Sequence, residues 1–466
     1  MNAIIFSAIW GVVMMFSSAF LKNKNAIRLL AITGAALLLA LNILEMYQAS
    51  QGVHFLSIDT KRMLGFETFG MLANTVAFAS TLLFLLLSAK DIEEVGPNSG
   101  DYFALIFFVL CGVALVTSYN NLLMLFIGIE VLSIPLYILT GSSKRNLKGN
   151  EAALKYFLMG SFSTGLMLLG IAFLYGASPT GSFFIDDIGI GHGPVSPLFV
   201  VGLLLLIAAL SFKVSAVPFH FWTPDVYDGA PTPFTSFMAT VVKGAAFIAF
   251  IRLFADSFGE AQAQWQLIIA IIAAATLFIG NITAVFQQSV KRMLAYSSIA
   301  QVGFMLLAIL SLKQIAQDGI ILYIAAYSLA TIGIFAVLGR MKDQTYEGFN
   351  GLAKQHPVLA FVSTIFLLSL AGIPLTAGFF AKYYMLTALL QTGKFFWLAI
   401  LAVLCAAVSV YYYFRVIQAM YFKEGVEQEI EASSGFKNLL VIDVILIILL
   451  GIFPQLLINA LSMLYL

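Results

Sequence analysis

Along these 466 residues, roughly fourteen runs of about twenty mostly apolar residues follow one another, separated by short polar joints. A helix needs about 20 such residues to cross the ~30 Å hydrocarbon core of a bilayer. In lipid, every backbone N–H and C=O must find its partner within the spanning structure itself. The runs fall near 4–21, 27–46, 66–89, 102–118, 121–140, 153–175, 197–221, 233–254, 265–287, 295–312, 319–339, 358–390, 396–421 and 438–464. Strand-period alternation is absent, which argues against a β-barrel. Composition agrees: 61% of the residues are apolar and 10% charged, against about 45–50% and about 25% in a soluble domain. A soluble enzyme and a disordered chain are therefore excluded. The 24 basic and 23 acidic residues nearly cancel, so no basic face is available for nucleic acid. Cys111 and Cys405 lie inside apolar runs, and the four histidines are scattered. Neither set has disulfide or metal spacing. The expected architecture is all-α and polytopic, in direct contact with a lipid bilayer.

Assigning alternate joints to opposite sides separates the basic residues. Sixteen follow odd-numbered runs: Lys22, Lys24, Arg28, Lys90, Lys144, Arg145, Lys148, Lys155, Lys291, Arg292, Arg340, Lys342, Lys354, Arg415, Lys423 and Lys437. Only Lys61, Arg62, Arg252, Lys313 and Lys394 follow even-numbered ones. By the positive-inside rule the odd joints are cytoplasmic. Both termini then lie on the outer, periplasmic side of a cell (inner) membrane. No Lys or Arg precedes the first run, so it is not expected to be a cleaved signal peptide. The Gly-rich stretch 176–196 reads as an outer loop, and the acidic stretch from Glu424 to Glu431 as a solvated cytoplasmic surface. Asp443, early in the last run, is expected to face the headgroups.

Four charges remain inside the apolar runs: Glu130, Lys213, Lys243 and Lys382. A charge at mid-bilayer costs roughly 2.5–3.5 kcal/mol on insertion scales, and such residues mark ion pathways by default. Glu130 shares a helical face with Ser133 and Tyr137; it is either functional or a structural partner for one lysine. Lys213 stands five residues before Pro218, where a mid-run proline frees carbonyls that only a protein-lined or hydrated cavity tolerates. Its alternative role is a snorkelling lysine at a helix end. His220 follows that proline and lies in sequence between two buried lysines, so proton relay and a satisfied core histidine both fit. Lys243 is ten residues into its run, too deep for easy snorkelling. Lys382 follows Pro374 in a run, 358–390, too long for one straight crossing. Two broken helices at corresponding places in two halves point to a transport path. Lys155 lies at a run's end, where interface anchoring explains it nearly as well as proton handling.

The segments around these residues carry a resemblance. They are EVLSIPLYIL, EAALKYFLMGSFSTGLMLLGIAFLYG, FKVSAVPFHFWTPDVYDGAPTP, VVKGAAFIAFIRLF, VKRMLAYSSIAQVGFML and LAGIPLTAGFFAKYY. As a set they resemble the N-type subunits of respiratory NADH:quinone oxidoreductase (complex I), which are antiporter-like and proton-pumping. PDVYDGAPTP is similar to the N-type version, and a lysine at 382 distinguishes the chain from the M-type, which carries a glutamate there. The L-type's long lateral C-terminal helix has no counterpart here. The resemblance implies two inverted five-helix repeats, 101–255 and 256–425, after a three-helix region, 1–100, and before a last transmembrane helix, 426–466. It implies a paired Glu130 and Lys213, Lys243 as central relay, His220 and Lys155 as entry or relay positions, and Lys382 as the exit-side carrier. It places NADH, flavin, iron–sulfur clusters and quinone in partner subunits of the membrane-embedded complex, with no cofactor in this chain. A further antiporter-like subunit is expected among the partners. The implied function is proton export coupled to electron transfer from NADH to quinone. The alternatives are a cation/proton antiporter subunit without a redox driver, and ionic residues that merely fix packing.

Overall fold

In a computed structural model, which describes residues 1–21, 23–51, 59–188, 195–425 and 430–462, nearly every apolar run is helical, and several of the helices begin at a polar cap. Lys22 and parts of the Gly-rich and acidic stretches (189–194 and 426–429) lie outside the described residues, as do 463–464 of the last expected run. Side chains of Asn23, Asn121, Asn146, Ser196, Ser289 and Ser433 each accept from a free N–H of the helix that follows. Such caps satisfy donors that a helix start otherwise leaves orphaned.

The first half comprises α1 (Asn2–Phe20), α2 (Lys24–Ser50), α3 (Thr68–Val95), α4 (Ser99–Ser118), α5 (Leu122–Thr140) and α6 (Leu147–Ala177). Next come α7 (Pro197–Val214), α8 (Trp222–Gly229), α9 (Thr232–Phe237) and α10 (Lys243–Asp256), the last two joined by a π-turn, Met238–Val242. The second half continues with α11 (Gln262–Val285), α12 (Val290–Ser311), α13 (Gln314–Gly339), the short α14 (Leu352–Gln355), α15 (Pro357–Ala371) and α16 (Ala377–Leu390). It closes with α17 (Phe396–Phe422), α18 (Ser434–Ile452) and α19 (Gln455–Ser462). Among the described residues, thirteen helices are long and apolar enough to cross a membrane, and α15 is a shorter apolar one. Among the described residues there is no strand, only three isolated bridges between loops.

Burial grades from centre to rim. The continuous helix Thr232–Asp256 is fully buried over its apolar window, and α12 and α13 are 94% and 89% buried. By contrast α1 and α2 are 28% and 33% buried, and they expose Phe16, Phe20 and Leu29. A helix apolar all round is either a core element or a membrane span; here the central helices are both.

The joints sort into two faces. Among the described residues, ion pairs between different joints unite joints of one parity: Arg28 with Glu93, Lys90 with Glu431, Arg340 with Asp91, and Arg292 with Asp225. On the opposite face the N-terminal amine meets Glu45, Arg62 meets Asp186, and Arg252 meets Glu67.

Four sequence expectations need correction. The run 438–464 is not one helix: α18 stops at Ile452 and α19 begins at Gln455, beyond Pro454, whose ring cannot continue the ladder. Asp443 does not face headgroups; it is fully buried. Arg252 is not a loop residue. It is 2% exposed within α10 and donates to the carbonyls of Thr117 and Tyr119 at the end of α4, at 2.7 and 3.1 Å. Lys291 likewise is enclosed in α12, donating to the carbonyl of Ala230 at 2.6 Å, just past the end of α8. Both use the negative end of a helix as counter-charge.

Candidate functional site

Within the two runs expected to be interrupted, helix geometry is lost at 215–221 and 372–376. After α7, Ser215 takes a left-handed conformation (φ 67°), and the N–H of Ala216 closes back on the carbonyl of Ser211 at 2.8 Å. The peptide Val217–Pro218 is cis, and the Val217 N–H donates to Thr276 on α11 at 2.9 Å. After α15, Gly372 (φ 83°) makes the corresponding turn, the N–H of Ile373 returning to Leu368 at 3.0 Å. A Cβ on Gly372 would come 2.8 Å from Cδ of Lys382. Glycine is therefore needed there both for the backbone conformation and for the close approach of the lysine.

Each break carries an ammonium at the end of its first half-helix. Lys213 lies in the last turn of α7, and its Nζ donates to the Ser133 hydroxyl at 3.0 Å. Ser133 passes its own proton to the carbonyl of Ile129 at 2.6 Å. Lys382 comes from the helix after its break, yet its Nζ donates to the carbonyl of Ala371, the last residue of α15, at 2.8 Å. It also lies 4.9 Å from the centre of the Phe304 ring. Sequence offset relative to the prolines differs between the halves, but the ammonium reaches the same kind of place. Partial negative charge at a helix C-terminus and the face of an aromatic ring both stabilise a cation without a carboxylate.

Lys243 stands between them. It is the first residue after the π-turn, 2% exposed, and donates to the Ser298 hydroxyl of α12 at 3.0 Å. The Tyr227 ring centre is 5.4 Å away. Ser298 also lies beside the hydroxyl of Tyr327 on α13. Tyr327 in turn lines a small cavity with Tyr323, Gln301, Ser369 and Lys382. Within it Tyr323 donates to the Gln301 side chain, which donates to the carbonyl of Leu370 at 2.9 Å. Polar side chains of α12 and α13 thus bridge the interval between the second and third lysines. Around the first break, the hydroxyls of Ser211, Ser215, Thr223 and Ser236 are buried without protein partners. Buried hydroxyls of this kind suit bridging by water.

The other expected residues fall as follows. Glu130 is half-buried on α5 with Oε1 enclosed and unpartnered. Its charge acts on Lys213, but no ion pair of 4.0 Å or less joins them; Ser133 occupies the lysine's donor position. His220 lies in the 215–221 connection, 6% exposed, with Nδ1 unpartnered and its ring 4.5 Å from Phe221. Lys155 is apart from the buried line. It is exposed at the odd face, pairing with Glu151 at 2.7 Å and with Asp225 of α8 at 2.9 Å. Residues that the sequence did not single out are Ser298, Gln301, Tyr323 and Tyr327. Their signal was present in the i, i+3 spacing of Ser298 and Gln301 and the i, i+4 spacing of Tyr323 and Tyr327, which put each pair on one helix face. Among the described residues, no three His, Cys, Asp or Glu side chains gather as metal ligands would.

Residues 119–409, which hold the whole line from Glu130 to Lys382, match the family model described as NADH:quinone oxidoreductase/Mrp antiporter, transmembrane. NADH-quinone oxidoreductase subunit N of Cytophaga hutchinsonii is 40% identical over 464 residues, covering 98% of this chain and 99% of that one. The chain belongs to this family. Subunit N 1 of Herpetosiphon aurantiacus is 36% identical across 97% of this chain and 93% of its own length. Among solved structures, a chain of respiratory complex I from Thermus thermophilus with bound Aureothin superposes with a TM-score of 0.84. It is 31% identical, covering 98% of this chain and 99% of that chain. A chain of the Mrp complex from Dietzia sp. DQ12-45-1b has the same fold, with a TM-score of 0.86 at 20% identity over 99% of this chain and 96% of that one. Family members of the oxidoreductase and antiporter kinds therefore share this arrangement of helices.

Proposed function

We propose that the chain is a proton-translocating membrane-arm subunit of an NADH:quinone oxidoreductase. One observation carries the reading: Lys243 and Lys382 are enclosed cations held by a hydroxyl and a carbonyl, with no carboxylate partner, along a polar track. Subunit N names among relatives of 36–40% identity over nearly the whole chain support the oxidoreductase assignment. In this reading the NADH site, flavin, iron–sulfur clusters and quinone belong to partner subunits. Electron transfer there alters the field at Glu130. Displacing that carboxylate relative to Lys213 changes the cost of the lysine's charge, and its proton passes toward Lys243, then past Ser298 and Tyr327 to Lys382. His220 joins the first break to this line, and Lys155 gathers protons at the odd face. The magnitudes allow it. Two unit charges about 4 Å apart interact by ~4 kcal/mol at an effective dielectric constant of ~20. Moving one charge across 100 mV takes ~2.3 kcal/mol.

The stretches 101–255 and 256–425 act as two inverted units, each with its interrupted helix fourth. Support comes from opposite courses of α7 and α15 between the faces, each ending at a lysine ammonium. The odd face, with its basic excess, is cytoplasmic, and both termini are periplasmic. The second reading, a cation/proton antiporter subunit, is favoured by the likeness to the Mrp chain. Lys213→Ala and Lys243→Ala in the assembled complex decide between them. Proton export per NADH oxidised falls under the first reading, whereas unchanged export overturns it. Sodium-dependent exchange by the chain without the redox subunits favours the second.

A further inference from the structure

Among the described residues, Asp443 is the one fully enclosed carboxyl that this line leaves unexplained. It is fully buried on α18, and both carboxyl oxygens lack a protein hydrogen bond. A carboxylate in such a place has no cation to offset its desolvation, and a merely structural acid would be hydrogen-bonded. Helices α3, α13, α15 and α16 pack against α18. Their charges are Lys90, Asp91, Glu93 and Glu94 at the end of α3, Asp318 near the far end of α13, and Lys382 on α16. None of them pairs with Asp443.

Its surroundings form a route. At the odd face a cavity of about 560 Å³ opens between α2, α3, α13 and α18, bordered by Arg28, Lys90, Arg340, Glu431, Phe436 and Leu439. Phe436 and Leu439 stand seven and four residues before Asp443, on the same side of α18. The cavity therefore ends about one turn short of the carboxyl. Inward, the Arg340 guanidinium lies 4.2 Å over the Phe436 ring and sets α13 and α18 at a common level. At 1.5 Å per residue, Asp443 is about 10 Å inward from Phe436, Thr331 about 14 Å from Arg340, and Ser363 about 9 Å from the start of α15. Thr331 and Ser363 are also buried with unpartnered hydroxyls. Thr331 lies beside Tyr327, and Tyr327 beside Ser298, the partner of Lys243.

We propose that Asp443 is a proton-carrying residue on a second branch, which joins the odd-face cavity to the Lys243–Lys382 line through Thr331 and Tyr327. The step is a pure proton transfer. The neutral carboxyl releases its proton inward along the hydroxyls and waters, and one carboxyl oxygen takes a proton from the cavity, restoring the neutral acid. The proposal rests on the pumping function above, and the test separates the two. Intact complex in sealed vesicles would be compared as wild type, Asp443→Asn, Asp443→Glu and Lys243→Ala. The expected result is at least a twofold loss of protons exported per NADH in Asp443→Asn, with NADH–quinone turnover retained and Asp443→Glu near wild type. Normal export in Asp443→Asn with loss in Lys243→Ala overturns the branch alone; normal export in both overturns the pumping function itself. Should Asp443→Asn fail to assemble, infrared difference spectra of wild-type and Asp443→Glu complexes labelled with ¹³C-aspartate decide. A protonated aspartic C=O band must change between oxidised and reduced complex and vanish in Asp443→Glu; without such a band the proposal fails.

Discussion

At the residue scale, the three central lysines differ from ordinary buried cations in what they touch. None is locked to a carboxylate: Lys213 and Lys243 meet serine hydroxyls and Lys382 a helix-end carbonyl. Hydroxyls can both accept and donate, so they pass protons as well as solvate charge. Ser298→Ala should therefore slow proton export several-fold while leaving subunit assembly intact, as measured by pumping against quinone reduction in the same vesicles. Gly372→Ala tests the second break. A left-handed backbone for a residue with Cβ costs about 1–3 kcal/mol, and Lys382 must also move away from its carbonyl. The variant should lower the melting temperature of the complex and its export together, whereas Gly378→Ala should hinder assembly outright because its Cβ would overlap the Ser369 carbonyl. How far the sequence foretold these residues depended on cost. A lysine in an apolar run costs several kcal/mol and is visible at once. Ser298, Gln301 and Tyr327 cost little in any single position, so only their enclosure by α12 and α13 reveals a role.

At the element scale, the π-turn Met238–Val242 sets the direction of Lys243. Such insertions inside α-helices occur often at functional sites. Removing one residue from it, for example Val241, would restore regular helix and rotate Lys243 by about 100° relative to α9. The expected outcome is export as low as in Lys243→Ala, with the complex still assembled on a native gel. Apolar runs located the spanning helices, because length against bilayer thickness is a strong constraint. They overran at 197–221, where α7 stops at Val214, and at 438–464, because hydropathy counts residues and not hydrogen bonds. Lys291 was assigned to a joint for a related reason. Its favourable partners, carbonyls around the end of α8, come from a distant stretch of chain.

At the scale of the whole molecule, the charges divide into two faces and one enclosed line. Cysteine replacements at Arg62 and at Lys144 test the sidedness. With the odd face cytoplasmic, an impermeant maleimide applied to intact cells should label the Arg62 position and spare the Lys144 position, and inverted vesicles should show the opposite. The alternation of basic joints made this division legible from sequence, since each lysine and arginine outside the spans must choose a side. What lay beyond sequence was which joints meet, such as Arg340 with Asp91, because that depends on how helices far apart in the chain pack.

The absence of carboxylate partners along the line has a collective consequence. Neither Lys243 nor Lys382 has a carboxylate within ion-pair distance among the described residues, so on the proposed function the proton occupancy of each site would be governed by its neighbours. In a weakly screening interior, a proton arriving at one station raises the cost of holding one at the next. Ions queuing in a narrow pore dislodge one another in the same way, and on the proposed function the line would share that character: it would count charges instead of storing them.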